Sequence, residues 1–322
     1  MNIYTLCAVG VFIVILKFLS PILIYPIIAL FLTILLVPIF SFFDKKGLPA
    51  IIAYFITLLG FIAIVGIIGI ILDSSLKEFN NSLPIYQDKL NTLLKEINKL
   101  LHSFNIEISS QLISSKYLVT LLKKILSNFS NIIKGFLIVL IGVSFLLFES
   151  KDFSKKINKI SKDTSKFKEL FKSVQKYFLI KTFTSLLTGL FVGIMLYLFQ
   201  VPYVFLFGFL AFILNYIPVI GSIVAAIPGI LLTLLTFGFE SAIYVTILYI
   251  IINISISNIL EPKIMGEGLD LSPAVVFFSL IFWGWIFGIA GTFFAVVLTM
   301  SLKIALSNSP KTKWISILLA KA

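Results

Sequence analysis

Arginine is missing from the chain altogether, and charge of either sign is scarce, at 12% of 322 residues against about a quarter in an ordinary soluble domain. All 26 basic residues are therefore lysine, which excludes the forked, bidentate recognition of phosphate or carboxylate that guanidinium provides. A single cysteine, Cys7, leaves no intrachain disulfide and no cysteine-based metal site. The one histidine, His102, lies in a polar stretch and reads as solvated. There is no Walker A sequence, and no glycine pattern of the dinucleotide-binding type. Neither a cofactor nor a metal is expected, and the chain is not read as an enzyme or as ATP-driven by itself.

What the chain has instead is apolar surface. Hydrophobic residues make up 59% of it, and the mean hydropathy is +1.11. A helix needs about 20 largely apolar residues to cross about 30 Å of hydrocarbon, and the sequence holds enough such residues for seven or eight crossings. The expected fold class is an all-α polytopic membrane protein. The net charge of +12 does not argue for nucleic acid, because the lysines sit in loops beside apolar runs, where positive charge reports topology.

Residues 3–19, 22–40 and 50–72 read as three spans, separated by Ser20-Pro21 and by the charged turn Asp44-Lys45-Lys46-Gly47. The first has no basic residue before Lys17 and no small-residue cleavage site, so it is read as retained rather than as a secretory signal. Residues 73–128 carry seven lysines and five acids and form the expected extracytoplasmic region. Within it Leu83, Tyr86, Leu90, Leu93, Leu94, Ile97, Leu100, Leu101 and Phe104 make one helical stripe, and Leu118, Leu121, Leu122, Ile125 and Leu126 a second. Such stripes suit a small helical cap, with partner or substrate capture as the rarer use.

A fourth span is expected at about 129–148, followed by a segment from Glu149 to Lys181 with ten lysines against four acids. That density next to a span marks the cytoplasmic side, with binding of anionic lipid headgroups as a further use. It follows that the Lys45-Lys46 turn and both termini, including the tail 307–322, are cytoplasmic.

From 182 to 302 there is one lysine, Lys263. Residues 182–200 and 241–259 can cross, but the stretches between and after them are broken. Pro202 to Asn215 leads into Tyr216-Ile217-Pro218-Val219-Ile220-Gly221-Ser222, and then a run to Phe237; Pro273 to Trp283 leads into Gly284 to Thr292, and then a run to about Leu306. A 14-residue arm covers only about 21 Å, so two re-entrant hairpins are favoured over two kinked spans. Pro202 against Pro273, Gly221 against Gly291 and Ser222 against Thr292 align at offsets of 70 or 71. A unit of one crossing and one hairpin changes sides an odd number of times, so residues 182–306 read as an inverted repeat, the architecture of secondary transporters.

Two segments carry a family likeness. NYIPVIGSIVAAIPG at Asn215–Gly229 and NILEPKIMGEGLDLSP at Asn258–Pro273 resemble the AI-2E family of bacterial transporters, the autoinducer-2 exporter family that includes PerM-type permeases. Asn215, Ile217, Pro218, Ile220 and Gly221 match its first motif; Pro262, Gly266, Leu271 and Pro273 match its second. Ser222 departs from the proline usual there, which loosens the turn without removing it. The resemblance implies a multi-pass protein of the bacterial inner membrane, assembled as homo-oligomers, with pentamers as the implied state. It also implies export of the quorum-sensing signal autoinducer-2 or, as in other members, sodium or lithium/proton antiport. A non-transporting membrane assembly factor is the third reading.

The candidate path residues are Asn215, Ser222, Asn258, Glu261, Trp285 and Thr292, and the shape-forming breaks Pro218, Gly221, Pro262, Gly266, Pro273, Gly288 and Gly291. Asn215 can serve a polar solute or cation, or simply cap a broken helix. Glu261 is either the ionisable group of a coupling ion's path or an interfacial carboxylate paired with Lys263. The cluster Phe282, Trp283, Trp285 and Phe287 can stack on a ring or anchor the protein at the bilayer surface. With no other carboxylate near the expected midplane, a small, neutral, polar solute is favoured.

Overall fold

The structure is a computed structural model that describes residues 3–103, 135–151, 165–265, 271–307 and 310–320, and among these every regular element is helical. The helices are α1 (Ile3–Lys45), α2 (Ala50–Ser103), α3 (135–151), α4 (Ser165–Leu198), α5 (Val204–Leu214), α6 (Ile220–Asn253), a π-helical turn (Ile254–Leu260), α7 (Glu261–Met265), α8 (Pro273–Phe287), α9 (Ile289–Ser307) and α10 (Lys313–Leu319). Among the described residues five helices are long and apolar enough to cross a membrane, and Val204–Leu214 and Pro273–Phe287 are shorter apolar helices.

Residues 3–19 and 22–40 are not two spans; both belong to the single helix α1, which runs through Ser20-Pro21 without a break. Proline normally interrupts a helix because it leaves the carbonyl four residues earlier without a donor. Here two of those carbonyls find other donors: Ser20 Oγ donates to Lys17 O at 2.8 Å, behind Pro21, and Gln175 Nε2 to Ile34 O at 3.5 Å, behind Pro38. Inside an apolar medium such substitutes are what let proline stay in a helix. The parity step that set the N-terminus on the cytoplasmic side rested on two crossings before Lys45, and that step no longer applies. In the same way α2 continues from the expected third span to Ser103, and α4 runs through Lys181 to Leu198.

The chain divides into two compact units. The first comprises Met1–Ile62, Gly135–Phe183 and Leu260–Ala322. Its core joins α1, α2 and α3 through Ala29, Leu36, Phe40, Ala53, Val143 and Leu147. Close approach needs small residues, and a Cβ on Gly142 would lie 2.8 Å from Ala29 Cβ. Phe31, Phe178 and Phe294 join α1, α4 and α9 in a ring cluster with centroids 4.5–6.1 Å apart. The tail folds back, with Ser272 N donating to Leu319 O at 3.2 Å, and Lys151 reaches Asp44 at 2.9 Å.

The second unit comprises Ala63–Lys134 and Thr184–Ile259. Phe79 and Leu83 of α2 are buried with Leu196, Phe207 and Leu232, and Tyr203 Oη donates to Ser82 Oγ at 2.9 Å. The first helical stripe is therefore an inward face as far as it is described: Leu83 and Leu90 are buried, and Tyr86, Leu93 and Leu94 half-buried. Its remainder and the second stripe lie outside the residues whose side chains are described. At the crossing of α4 and α5 a Cβ on Gly189 would lie 2.7 Å from Gly208 O. Although α6 is one element by its hydrogen bonds, Gly238 breaks it at φ 83° and ψ −176°. A Cβ on Gly229 would lie 2.8 Å from Tyr249 Oη, a proximity that twenty residues of straight helix, about 30 Å long, would forbid. The chain therefore reverses at Gly238, next to the expected end of the run at Phe237.

Candidate functional sites

Among the described residues each unit holds a buried polar cluster that joins several helices. In the second unit it is built on the break after α5. The backbone N–H of Asn215 closes α5 onto Ala211 O at 3.0 Å, and Pro218 and Val219 then turn the chain sharply, with Val219 at φ 63°. Such a conformation is strained for a β-branched residue. Gly221 is required here, because a Cβ would lie 1.8 Å from Leu214 O.

This turn leaves the Asn215 side chain pointing inward, 3% exposed. Its Nδ2 donates to Ser185 Oγ at 3.1 Å, and its Oδ1 accepts from Ser257 Oγ at 3.2 Å. The same serine reaches Asn253 Oδ1 at 3.2 Å. Asn215 thus caps α5 with its backbone only, and its side chain joins α4, the break and the π-turn in one uncharged network. Ser257, rather than the expected Asn258, supplies the contact; Asn258 is exposed. Ser222 sits in the first turn of α6 and donates to Val219 O at 3.1 Å. Beside the network lies a cavity of about 240 Å³, lined by Thr188, Ser222, Ala226, Thr246, Tyr249 and Asn253 among others.

In the first unit the feature is ionic. Both carboxylate oxygens of Glu261 accept from Lys181 Nζ, at 2.8 and 2.9 Å, with the side chains only 14% and 4% exposed. The expected pairing was with Lys263, which is exposed. Nor is Lys181 the last residue of a solvated basic loop; it lies inside α4. Its depth follows from the register of α1 on α4, which places Gln175 at Ile34 and Phe178 at Phe31. By that register Lys181 stands about 25 Å along α1 from Lys45. Glu261 is therefore buried against Lys181, which corrects the pairing with Lys263.

The second break is also in this unit. Ser272 caps α8, its Oγ accepting from Val275 N at 3.2 Å, with Pro273 opening the helix. Gly288 ends it at φ 66°, and a Cβ on Gly291 would lie 1.9 Å from Trp283 O. Trp283 Nε1 donates to Thr299 Oγ1 at 2.8 Å, so this ring packs inside the α8–α9 hairpin. Trp285 is exposed, and Lys17 Nζ lies 5.6 Å from its ring centre and also donates to its carbonyl. Thr292 Oγ1 donates to Ile289 O at 2.7 Å. Pro262 lies in α7, which continues directly from the π-helical turn; Gly266 lies outside the described residues.

Among the described residues no three His, Cys, Asp or Glu side chains are grouped to hold a metal ion. The residues that sequence reasoning missed are Ser185, Ser257, Asn253 and Lys181. An available signal was spacing, since Lys181 and Ser185 on α4 are one turn apart, as are Asn253 and Ser257 before Glu261.

A helical protein with long apolar helices, two sharply broken hairpins and buried polar groups has the makings of a membrane transporter. The model of the AI-2E family transporter matches residues 6–311, and the chain belongs to that family. It is 35% identical to the AI-2 transport protein TqsA of Escherichia coli over 312 residues, covering 94% of this chain and 91% of that protein. A Haemophilus influenzae protein provisionally named a transport protein is 36% identical over 304 residues, covering 89% and 86%. YrrI of Bacillus subtilis, also provisionally named, is 25% identical over 300 residues, covering 86% and 84%. The protein is thus a membrane transporter rather than an enzyme, and the assembly-factor reading falls away.

Proposed function

We propose that the protein is a secondary transporter of the bacterial inner membrane that exports a small polar solute of the autoinducer-2 type. The carrying observation is the Asn215 network: buried, uncharged and built on a helix break. Broken helices offer a solute backbone and side-chain polar groups without exposing them to lipid, and the lack of charge suits a neutral solute. TqsA, named as an AI-2 transport protein, supports the choice of solute.

The transport half is 182–306, with 1–72 and 129–148 as scaffold and seven or eight membrane segments in all. Its two hairpins form an inverted repeat, the first entering from outside and the second from inside. The likeness of their tips favours this: Gly221 meets the carbonyl of Leu214 and Gly291 that of Trp283 at nearly equal distances. Asn215 and Ser222 lie at the first tip, and Trp285 and Thr292 at the second, as path residues. The Lys45-Lys46 turn, segment 149–181 up to its buried end at Lys181, the approach to Ser272 and the tail are cytoplasmic. The Asp44–Lys151 pair and the Ser272–Leu319 bond support grouping them on one side. Homo-oligomers, as pentamers, and a role in quorum sensing complete the reading.

Cation/proton antiport is the second reading, favoured by the buried Glu261, since an ionisable group deep in a membrane protein is a functional candidate. Efflux of an autoinducer-2-type solute from proteoliposomes tests the first against the second. Wild-type protein should release it independently of sodium and lithium, and Asn215→Ala should lose most of the rate while remaining assembled. Solute efflux at the rate of empty liposomes, with pH-dependent sodium flux in its place, would favour antiport.

A further inference from the structure

The first arms of the two hairpins end differently. In the first hairpin the turn supplies its own donors: the carbonyls of Ala211, Ile213 and Leu214 accept from the backbone N–H groups of Asn215, Tyr216 and Ile217 at 3.0, 3.3 and 2.9 Å. In the second, Gly288 turns the chain as α8 ends, and the carbonyls of Trp285 and Ile286 accept from Lys17 Nζ, the latter at 3.3 Å. This donor comes from α1, 268 residues away. The last carbonyls of a helix have no intrahelical N–H and form the negative end of its dipole, which favours a cation. The same ammonium lies 5.6 Å from the centre of the Trp285 ring, within range of a cation–π contact. Lys17 is the only charged residue from Ile3 to Phe43, and neither α8 nor α9 holds an acid to pair with it. A charge on so apolar a helix is costly, and hence a functional candidate.

We infer that Lys17 is a positioning residue of transport, which clasps the tip of the second hairpin to α1 and so holds Trp285 and Thr292 in place. The contacts reach backbone and ring together, so they fix both the end of α8 and the plane of Trp285. Thr292 moves with that end: its N–H donates to Gly288 O at 3.2 Å, and its methyl group lies where a Cβ on Gly284 would meet it at 2.7 Å. Lys17 is exposed, so this clasp opens without burying a bare charge, unlike the Lys181–Glu261 pair. The rival use is anchoring, with Lys17 and Trp285 each serving the bilayer surface on its own account. The inference rests on the reading of the second tip as part of the solute path.

The test has two arms, both on full-length protein. For the first, Cys7→Ser protein carries spin labels at Val14→Cys and Ile289→Cys, two exposed positions beside Lys17 and Gly288, and is diluted with unlabelled chains. The distance distribution should be narrow with Lys17 present, broad in Lys17→Met and narrow again in Lys17→Arg, whose guanidinium also donates to carbonyls and stacks on aromatic rings. The second arm is efflux of autoinducer-2 from proteoliposomes, without labels. Lys17→Met should lose about tenfold in rate per assembled protein, in keeping with two modest hydrogen bonds, and Lys17→Arg should restore most of it. Wild-type efflux in Lys17→Met, an Arg variant as slow as the Met variant, or a distribution equally narrow in Lys17→Met would overturn the assignment, the last in favour of an anchor. Failure of the wild type itself to release autoinducer-2 would remove the transport reading and this role together; any of the former results in a protein that does release it removes this role alone.

Discussion

The two buried polar features differ in kind. In the second unit Asn215, Ser185, Ser257 and Asn253 share hydrogen bonds between uncharged groups; in the first, Lys181 and Glu261 form a bidentate ion pair. A neutral network can exchange one partner for another, or for a solute hydroxyl, at a cost near that of a single hydrogen bond. A buried ion pair cannot open without stranding two charges in a medium that does not solvate them. The first kind of contact suits a segment that handles a solute, and the second suits a joint that stays closed.

The largest effect should come from splitting the ion pair. Lys181→Ala or Glu261→Ala should each destabilise the protein by about 3–5 kcal/mol, because the remaining charge is left buried. The double change Lys181→Met with Glu261→Leu should restore most of that, as thermal unfolding in detergent would record. Single variants as stable as wild type would mean that the pair is open to water and the contrast false.

Next come the two turn glycines. Gly221→Ala and Gly291→Ala each drive a methyl into a backbone carbonyl, at 1.8 and 1.9 Å, and each should cost about 1–3 kcal/mol or displace its hairpin tip. Similar losses in the two variants would sharpen the likeness of the hairpins across the units; a large loss in one alone would break it. Asn215→Ala should follow at about 1–2 kcal/mol, since the freed serine hydroxyls can turn to other acceptors. Smallest is Lys151→Ala, which removes a pair whose side chains are 49% and 32% exposed; unfolding should shift by less than about 1 kcal/mol and less still in high salt.

Membrane class, helical content and the breaks near Pro218, Gly238 and Gly288 were legible in the sequence. Each of these is a local property, of composition or of residues that interrupt a helix. Long helices were misjudged because proline reads as a break: behind Pro21 the Ser20 hydroxyl supplies the missing donor, and behind Pro38 a side chain from α4, Gln175, 141 residues away, does so. Asn215 stood out in the sequence, but its partners come from segments 30 and 42 residues distant. Lys181 was hidden by its company, since nine other lysines in the same segment make a basic loop the natural reading. Only the register of α1 on α4 reveals that this one is far from the charged turn.

Solute efflux from proteoliposomes, measured side by side for Asn215→Ala and for the double variant Lys181→Met/Glu261→Leu, tests the division of labour most directly. Asn215→Ala is expected to lose at least about tenfold in rate, more than one hydrogen bond would explain through stability alone. The double variant, once shown to be assembled, is expected to keep efflux within about twofold of wild type. The reverse pattern, with efflux intact in Asn215→Ala and abolished in an assembled double variant, would place transport on the ion pair and contradict the neutral path.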